Sequence, residues 1–277
     1  MTWADFKKKV EAQGVKDTDK IWMIDLTGSC FPSLRICQSA SGRIQIVSGL
    51  WKSILNDWRT VTVPKAWGRE SLLTESETVA AWLLEMRAGR STSLHSHPGK
   101  LTGYIVVEGE IELEFLNDRQ RRKALDKAVI HSYVPHRTHG ITDSKLIEIE
   151  TPKDHANLVR FEDDYGRAGQ PYEQVYLPRD EKTPYLGRDS DLTLGGWVTV
   201  GLRQIAPGYD YSVWLEALLD DTVIAVMAGG LASREGVKAV ASGHVLWGRD
   251  LRRLAPILEL REEMEVLVAW DSRKSVT

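Results

Sequence analysis

The sequence predicts an all-β protein, two antiparallel barrels preceded by a short helix, and three observations carry that prediction. Short apolar runs recur along the 277 residues, several alternating apolar and polar with period two, as half-buried strands do. Gly, Pro, Asp, Asn and Ser punctuate the runs, and helical periodicity is scarce beyond the N-terminus. A polar segment from Phe161 to Arg188, broken repeatedly by glycine and proline, separates two β-rich stretches. Strands this short and closely spaced build sandwiches or barrels rather than alternating strand and helix layers.

Residues 2 to 13 read as a short amphipathic helix, with Thr2 as its cap and Trp3, Phe6 and Val10 roughly on one side. The rest of the region 1 to 78 carries IWMIDL at 21 and RIQIVSGL at 43, strands expected to pack on the barrels. VAAWLLEMRA at 79, GYIVVEG at 103, IELEFL at 111, VIHSYVP at 129 and LIEIET at 146 supply a first barrel over 79 to 160. Residues 161 to 189 are expected to link it to a second, degenerate barrel over 190 to 277, with GGWVTVGL at 195, VIAVMAGG at 223 and VLVAW at 266. A faint internal repeat agrees with this division. Setting Gly89 on Gly208, with one inserted residue, brings Gly109 onto Gly229.

Composition excludes several classes of function. Lys and Arg total 36 against 39 Asp and Glu, a net charge of -3, which argues against a general nucleic-acid binder. The basic stretch NDRQRRKALDK at 117 to 127 has no aromatic residues interleaved, so a solvated hairpin is its expected form. Two cysteines, Cys30 and Cys37, are too few for a disulfide framework or a zinc site of their own. MTWADFKKKVEAQG lacks the apolar core of a secretory signal, and no run approaches the roughly eighteen apolar residues of a membrane span. The expectation is a soluble, cytoplasmic protein acting on a small molecule, without nucleic-acid or membrane partners.

Histidine placement is the loudest chemical signal. Five of the seven lie between 95 and 139: His95, His97, His131, His136 and His139. Two residues apart on an extended strand, His95 and His97 point the same way. Together with His139, delivered across an antiparallel barrel, they would make three facial ligands and leave positions open for water or substrate.

Gly89, His95-x-His97, Thr102, Tyr104 and Gly109, at this spacing, resemble the first motif of the cupins. Val134-Pro135-His136-Arg137-Thr138-His139 resembles a shortened second motif. The resemblance implies a jelly-roll barrel over 79 to 160 and, with its companion, a protein of two cupin-type barrels. It also implies a divalent transition metal (Fe, Zn, Mn or Ni) held by His95, His97 and His139. Thr102 stands where that family usually supplies a glutamate, so the metal would rest on three neutral imidazoles, as in some cupin dioxygenases. Residues 146 to 167 and SLHSHPGKLTGYIVVEGE are further similar to the cupin domain of bacterial mannose-6-phosphate isomerases of the fused guanylyltransferase type. That likeness implies a polar, carbohydrate-type substrate.

Around such a metal, Glu148 is the candidate base, because it alternates with Ile147 and Ile149 and one set must face the interior. Lys100 and Arg137 flank the two histidine motifs and are candidates to grip a phosphate or carboxylate. Tyr104 is expected with its hydroxyl at the pocket mouth. The second β-rich stretch, 190 to 277, holds only His244 and no HxH, and is expected to serve packing, homodimerisation or closure of the pocket. The leading functional expectation is a metal-dependent isomerase of a sugar or sugar phosphate. An Fe(II)-dependent dioxygenase and a non-catalytic ligand-binding barrel are the alternatives.

Overall fold

The computed structural model describes residues 58–154, 157–170, 172–173, 176–207 and 211–274, together with Lys8 and the backbone of residues 21–25, 34–38 and 44–48. Of the helix expected over 2 to 13, only Lys8, in helical conformation, falls among them. The chain divides into two compact units, residues 1–64 with 174–180, and residues 65–173 with 181–277. In the first, strands β1 (Ile21–Asp25), β2 (Leu34–Gln38) and β3 (Ile44–Ser48) form a sheet in which β3 is central. It pairs parallel with β1 and antiparallel with β2. A further strand, β4 (Val61–Lys65), belongs mostly to the same unit.

The second unit opens with a jelly roll of antiparallel strands. These are β5 (Gly68–Glu75), β6 (Ala80–Met86), β7 (Leu94–Ser96), β8 (Leu101–Glu108) and β9 (Glu110–Phe115). They continue as β10 (Arg119–Lys123), β11 (Lys127–Ile130), β12 (His136–Gly140), β13 (Ser144–Thr151) and β14 (Val159–Glu162). One wall runs β11-β8-β13-β6-β5, and the facing wall runs β10-β9-β12-β7-β14. The short strand β15 (Leu177–Pro178) then returns to the first unit and pairs antiparallel with β4.

Sequence pattern and burial agree in most strands, β14 being an exception. In β9, which has one face in water, glutamates alternate with apolar residues; β10 is polar throughout, and Glu110, Glu112 and Glu114 face Arg119 and Arg121 across the pair. The basic stretch expected as a solvated hairpin is thus a ladder of exposed ion pairs, each worth little on its own. By contrast β6, β8 and β13 are buried on both faces; β6 and most of β8 are apolar accordingly, while β13 carries Glu148 and Glu150 among its buried residues. Their inner residues turn toward the jelly-roll interior, while Leu83, Ile105, Ile147 and Ile149 point out of it into a second apolar cluster.

The C-terminal half completes that cluster. Strands β16 (Asp191–Leu194), β17 (Val198–Ile205), β18 (Val223–Ala228), β21 (Val245–Trp247) and β22 (Met264–Asp271) form a sheet in the order β16-β17-β22-β18-β21. Its Val200, Ala225, Val245 and Leu267 lie in the same cluster as Ile105 and Ile149. The opposite face is covered by the hairpin β19 (Gly230–Ala232) and β20 (Lys238–Ala241), and by two short helices, α1 (Tyr211–Glu216) and α2 (Gly248–Leu254). The repeat has a physical basis in its turns. Gly109 and Gly229 each make the sharp turn between consecutive strands of different sheets, at φ of 75° and 70°, so close to a neighbouring carbonyl that no side chain fits. Among the described residues no helix is long and apolar enough to cross a membrane.

The two sheets approach closely at Gly103 on β8, where an added Cβ would lie 2.4 Å from Val245 Cγ2. Gly103→Ala therefore overpacks the contact and should lower the unfolding free energy by about 1–3 kcal/mol in urea titrations. Adding Val245→Ala should recover part of that loss, and a strictly additive double variant would contradict this packing.

Candidate metal centre

The geometry of the site follows from one strand pairing. β12 runs antiparallel to β7, with His136 directly opposite His95. His97 lies two residues beyond His95 and faces the same way, so three buried imidazoles converge. Ring centroids are 4.4 Å apart for His95 and His136, 4.8 Å for His95 and His97, and 5.4 Å for His97 and His136. One ring nitrogen from each lies within 4.8 Å of the others.

Backbone carbonyls orient the rings. Nδ1 of His95 contacts the Ser93 carbonyl at 2.7 Å, that of His97 the Asn157 carbonyl at 2.6 Å, and that of His136 the Val134 carbonyl at 3.0 Å. A carbonyl only accepts, so each Nδ1 carries the proton and each Nε2 keeps its lone pair. Nε2 of both His97 and His136 is buried without a hydrogen-bond partner. Two desolvated lone pairs left unanswered in a protein interior are costly unless a cation takes them. Burial lowers all three pKa values, that of His97 to about 3 with help from the Lys100 charge, and that of His136 to about 4. The rings are therefore neutral, the form that ligates. Three imidazoles suit Zn, Fe or Ni better than the hard oxygen-seeking cations.

His139, the third ligand expected from the sequence, is not part of this group. Three residues from His136 on an extended strand, it has the opposite facing, and its Nε2 contacts Glu114 on β9 at the solvent side. Arg137 shares that outward set, 3.7 Å from Glu162 and 3.9 Å from Asp164, and so does not reach the cavity as a substrate grip. Lys100 is no rim charge either. It is 1% exposed, and its Nζ donates to Glu150 Oε1 at 2.6 Å inside the jelly roll.

Tyr104 and Glu148 do face the interior. Paired in register on β8 and β13, they are both buried, and the Tyr104 hydroxyl donates to Glu148 Oε1 at 3.3 Å. Burial and the Glu148 charge push the Tyr104 hydroxyl well above its usual pKa, so it stays protonated. Thr102, cross-strand from Glu150, offers only a buried hydroxyl with no hydrogen-bond partner, so the donor set near the rings remains imidazole.

A cavity of about 50 Å³ opens beside His95 and His97, with Tyr104, Glu148 and Glu150 on its wall. That is room for an ion and a few waters. Its mouth is lined by Arg167 and by residues that sequence reasoning passed over: Lys65, Arg160, Tyr172 and Glu173. Arg160 was hidden by an inverted pattern. The run VRF reads as a strand with valine and phenylalanine inward, yet Arg160 is 8% exposed while Val159 and Phe161 are 44% and 49% exposed.

No protein-family model matches the sequence, and no curated protein matches it. Solved structures similar to part of the chain include KdgF from Halomonas sp., at 19% identity over 36% of this chain and 93% of that one, with a TM-score of 0.33. An RmlC-like cupin from Shewanella frigidimarina NCIMB 400 aligns at 21% identity over 34% of this chain and 85% of its own, with a TM-score of 0.32. The DMSP lyase DddQ from Ruegeria pomeroyi DSS-3 aligns at 25% identity over 28% and 40%, with a TM-score of 0.26.

His95→Ala, His97→Ala and His136→Ala should each abolish stoichiometric transition-metal binding, measured by elemental analysis of untagged, folded protein. His139→Ala should retain it, and metal loss in that variant alone would refute the ligand set.

Proposed function

We propose that the chain is a metal-dependent enzyme of the cupin type that moves a proton on a small, oxygen-rich substrate, isomerising a sugar or sugar phosphate. The observation that carries this reading is the Tyr104–Glu148 pair, which shares one cavity with His95 and His97. Held by His95, His97 and His136, a divalent ion supplies Lewis acidity toward a carbonyl or a pair of hydroxyls.

The chain's own groups do the rest. Glu148 accepts a proton from the carbon beside the carbonyl and delivers it to the carbonyl carbon, while the proton of the adjacent hydroxyl passes to the former carbonyl oxygen, so that hydroxyl and carbonyl exchange places. Tyr104, kept protonated, steadies that carboxylate through its hydroxyl and limits rotation of the group. Trp67 and Leu84 line the same cavity and exclude bulk water, which strengthens each charge interaction within it. Lys100 locks Glu150, leaving Glu148 as the carboxylate coupled to the phenol.

The all-imidazole donor set supports a second reading, an Fe(II)-dependent dioxygenase. The two part in one experiment. Protein loaded with Fe, Zn, Mn or Ni in turn, and incubated in D2O with phosphorylated and carboxylated aldoses and ketoses, should place deuterium on the carbon next to the carbonyl. Glu148→Gln should lower that rate by about 10²–10⁴-fold with metal content unchanged. Oxygen uptake without deuterium incorporation would favour the dioxygenase, and neither reaction would leave a ligand-binding barrel.

A further inference from the structure

One carboxylate at the cavity mouth meets three cations. Glu173 accepts from Lys65 Nζ at 2.6 Å, from Arg160 Nη2 at 2.9 Å and from Arg167 Nη1 at 2.5 Å. Two further carboxylates face this group, Glu70 at 3.0 Å from Lys65 and Asp163 at 2.7 Å from Arg167. Three positive and three negative charges therefore balance only while Glu173 is in place. The side chains of Lys65 and Arg160 are almost wholly buried, so the charge they carry needs an anion close by.

The backbone that delivers Glu173 is held by different means from the strands around it. After β14 the chain turns through Gly166 and Gly169, both at positive φ with open space where a Cβ would stand. Most of 161–170 is exposed to solvent. Its ties are charged or polar: Arg167 to Asp163, Arg160 Nη1 to the Gln170 carbonyl, and Tyr172 under the Lys65 ammonium at 3.8 Å. None of the described residues of 161–173 belongs to the apolar cluster between the sheets or to the one on the far face of the C-terminal sheet. Ser91 also holds the start of this segment, through Asp164 and the Tyr165 hydroxyl. The end that carries Glu173 is held in the cationic pocket by charge, and another anion that competes for the same donors can release it.

We propose that Lys65, Arg160 and Arg167 form the recognition site for an anionic group of the substrate, a carboxylate or a phosphate, and that Glu173 is its built-in competitor. The paired guanidinium groups present the fork that suits either anion, and the lysine adds a point charge from the far side. Because the cradle opens on the cavity that holds His95, His97, Tyr104 and Glu148, an anion seated there directs its attached carbons toward the three histidines. This assignment rests on reading that cavity as the substrate site.

Calorimetric titration of metal-loaded protein with inorganic phosphate in one arm and malonate in the other tests it and tells the two anions apart. Glu173→Gln should bind at least one of them about tenfold more tightly than the unaltered chain, and Arg160→Gln in that background should erase the gain. The gain should persist in Glu173→Gln/His97→Ala, so loss of metal with retained anion binding would strike the enzyme reading and spare the cradle. Hydrogen exchange of the unaltered chain supplies a measurement that needs no variant: saturating anion should accelerate exchange across 163–173. A folded Glu173→Gln with unchanged affinity for both anions, a gain that survives Arg160→Gln, or exchange unmoved by either anion would overturn the proposal.

Discussion

The site depends on a single antiparallel register, His136 of β12 directly across from His95 of β7. Shift that pairing by one residue and Arg137 would replace the imidazole inside the jelly roll, since facing alternates with every position. β7 spans only Leu94–Ser96, so its own ladder bonds do little to hold the register. What holds it is the longer pairing of β12 with β9, which runs from His136 opposite Phe115 to Gly140 opposite Ile111. The exposed ion pairs of β9 and β10 have an indirect role here, because they flank the strand against which β12 is set.

The interior that results is unusually polar. Lys100 and Glu150, Tyr104 and Glu148, and three histidines occupy space that an ordinary barrel would fill with aliphatic side chains. Buried ion pairs are weak contributors to stability, because desolvation offsets most of their attraction. Leu72, Trp82, Val106, Leu113 and Leu146 remain buried as apolar packing, and a further apolar contact lies outward, in the cluster between the β11-β8-β13-β6-β5 wall and the C-terminal sheet. Chemistry on one face of β8 and β13 is thereby supported by packing on the other: Tyr104 and Glu148 look inward, Ile105 and Ile147 outward.

Much of this was legible in the sequence. Runs such as GYIVVEG and VIAVMAGG became strands because period and turn residues agreed, and Gly109 and Gly229 proved to be turn glycines of one kind, each at positive φ. Glu148 faces inward because alternation with Ile147 and Ile149 left two choices, and pairing with Tyr104 settled which. Where reasoning failed, a non-local fact was missing. His136 and His139 are equivalent as residues, and only the register separates them. Lys100 looks like a surface charge until Glu150 is brought beside it from fifty positions away. Arg160, Arg167 and Glu173 lie in or beside a stretch whose glycines and prolines read as a linker, yet they meet around one carboxylate through contacts that no periodicity records.

The shared wall also bears on how this chain could be dissected. Cutting near residue 190 to isolate the histidine-bearing half would lay bare Leu83, Ile105, Ile147 and Ile149 side by side on a flat β-surface. A surface of that kind recruits other chains and precipitates. The C-terminal half, though it brings no histidine to the centre, is for this reason the solubilising partner of the other, and neither half is a self-sufficient module.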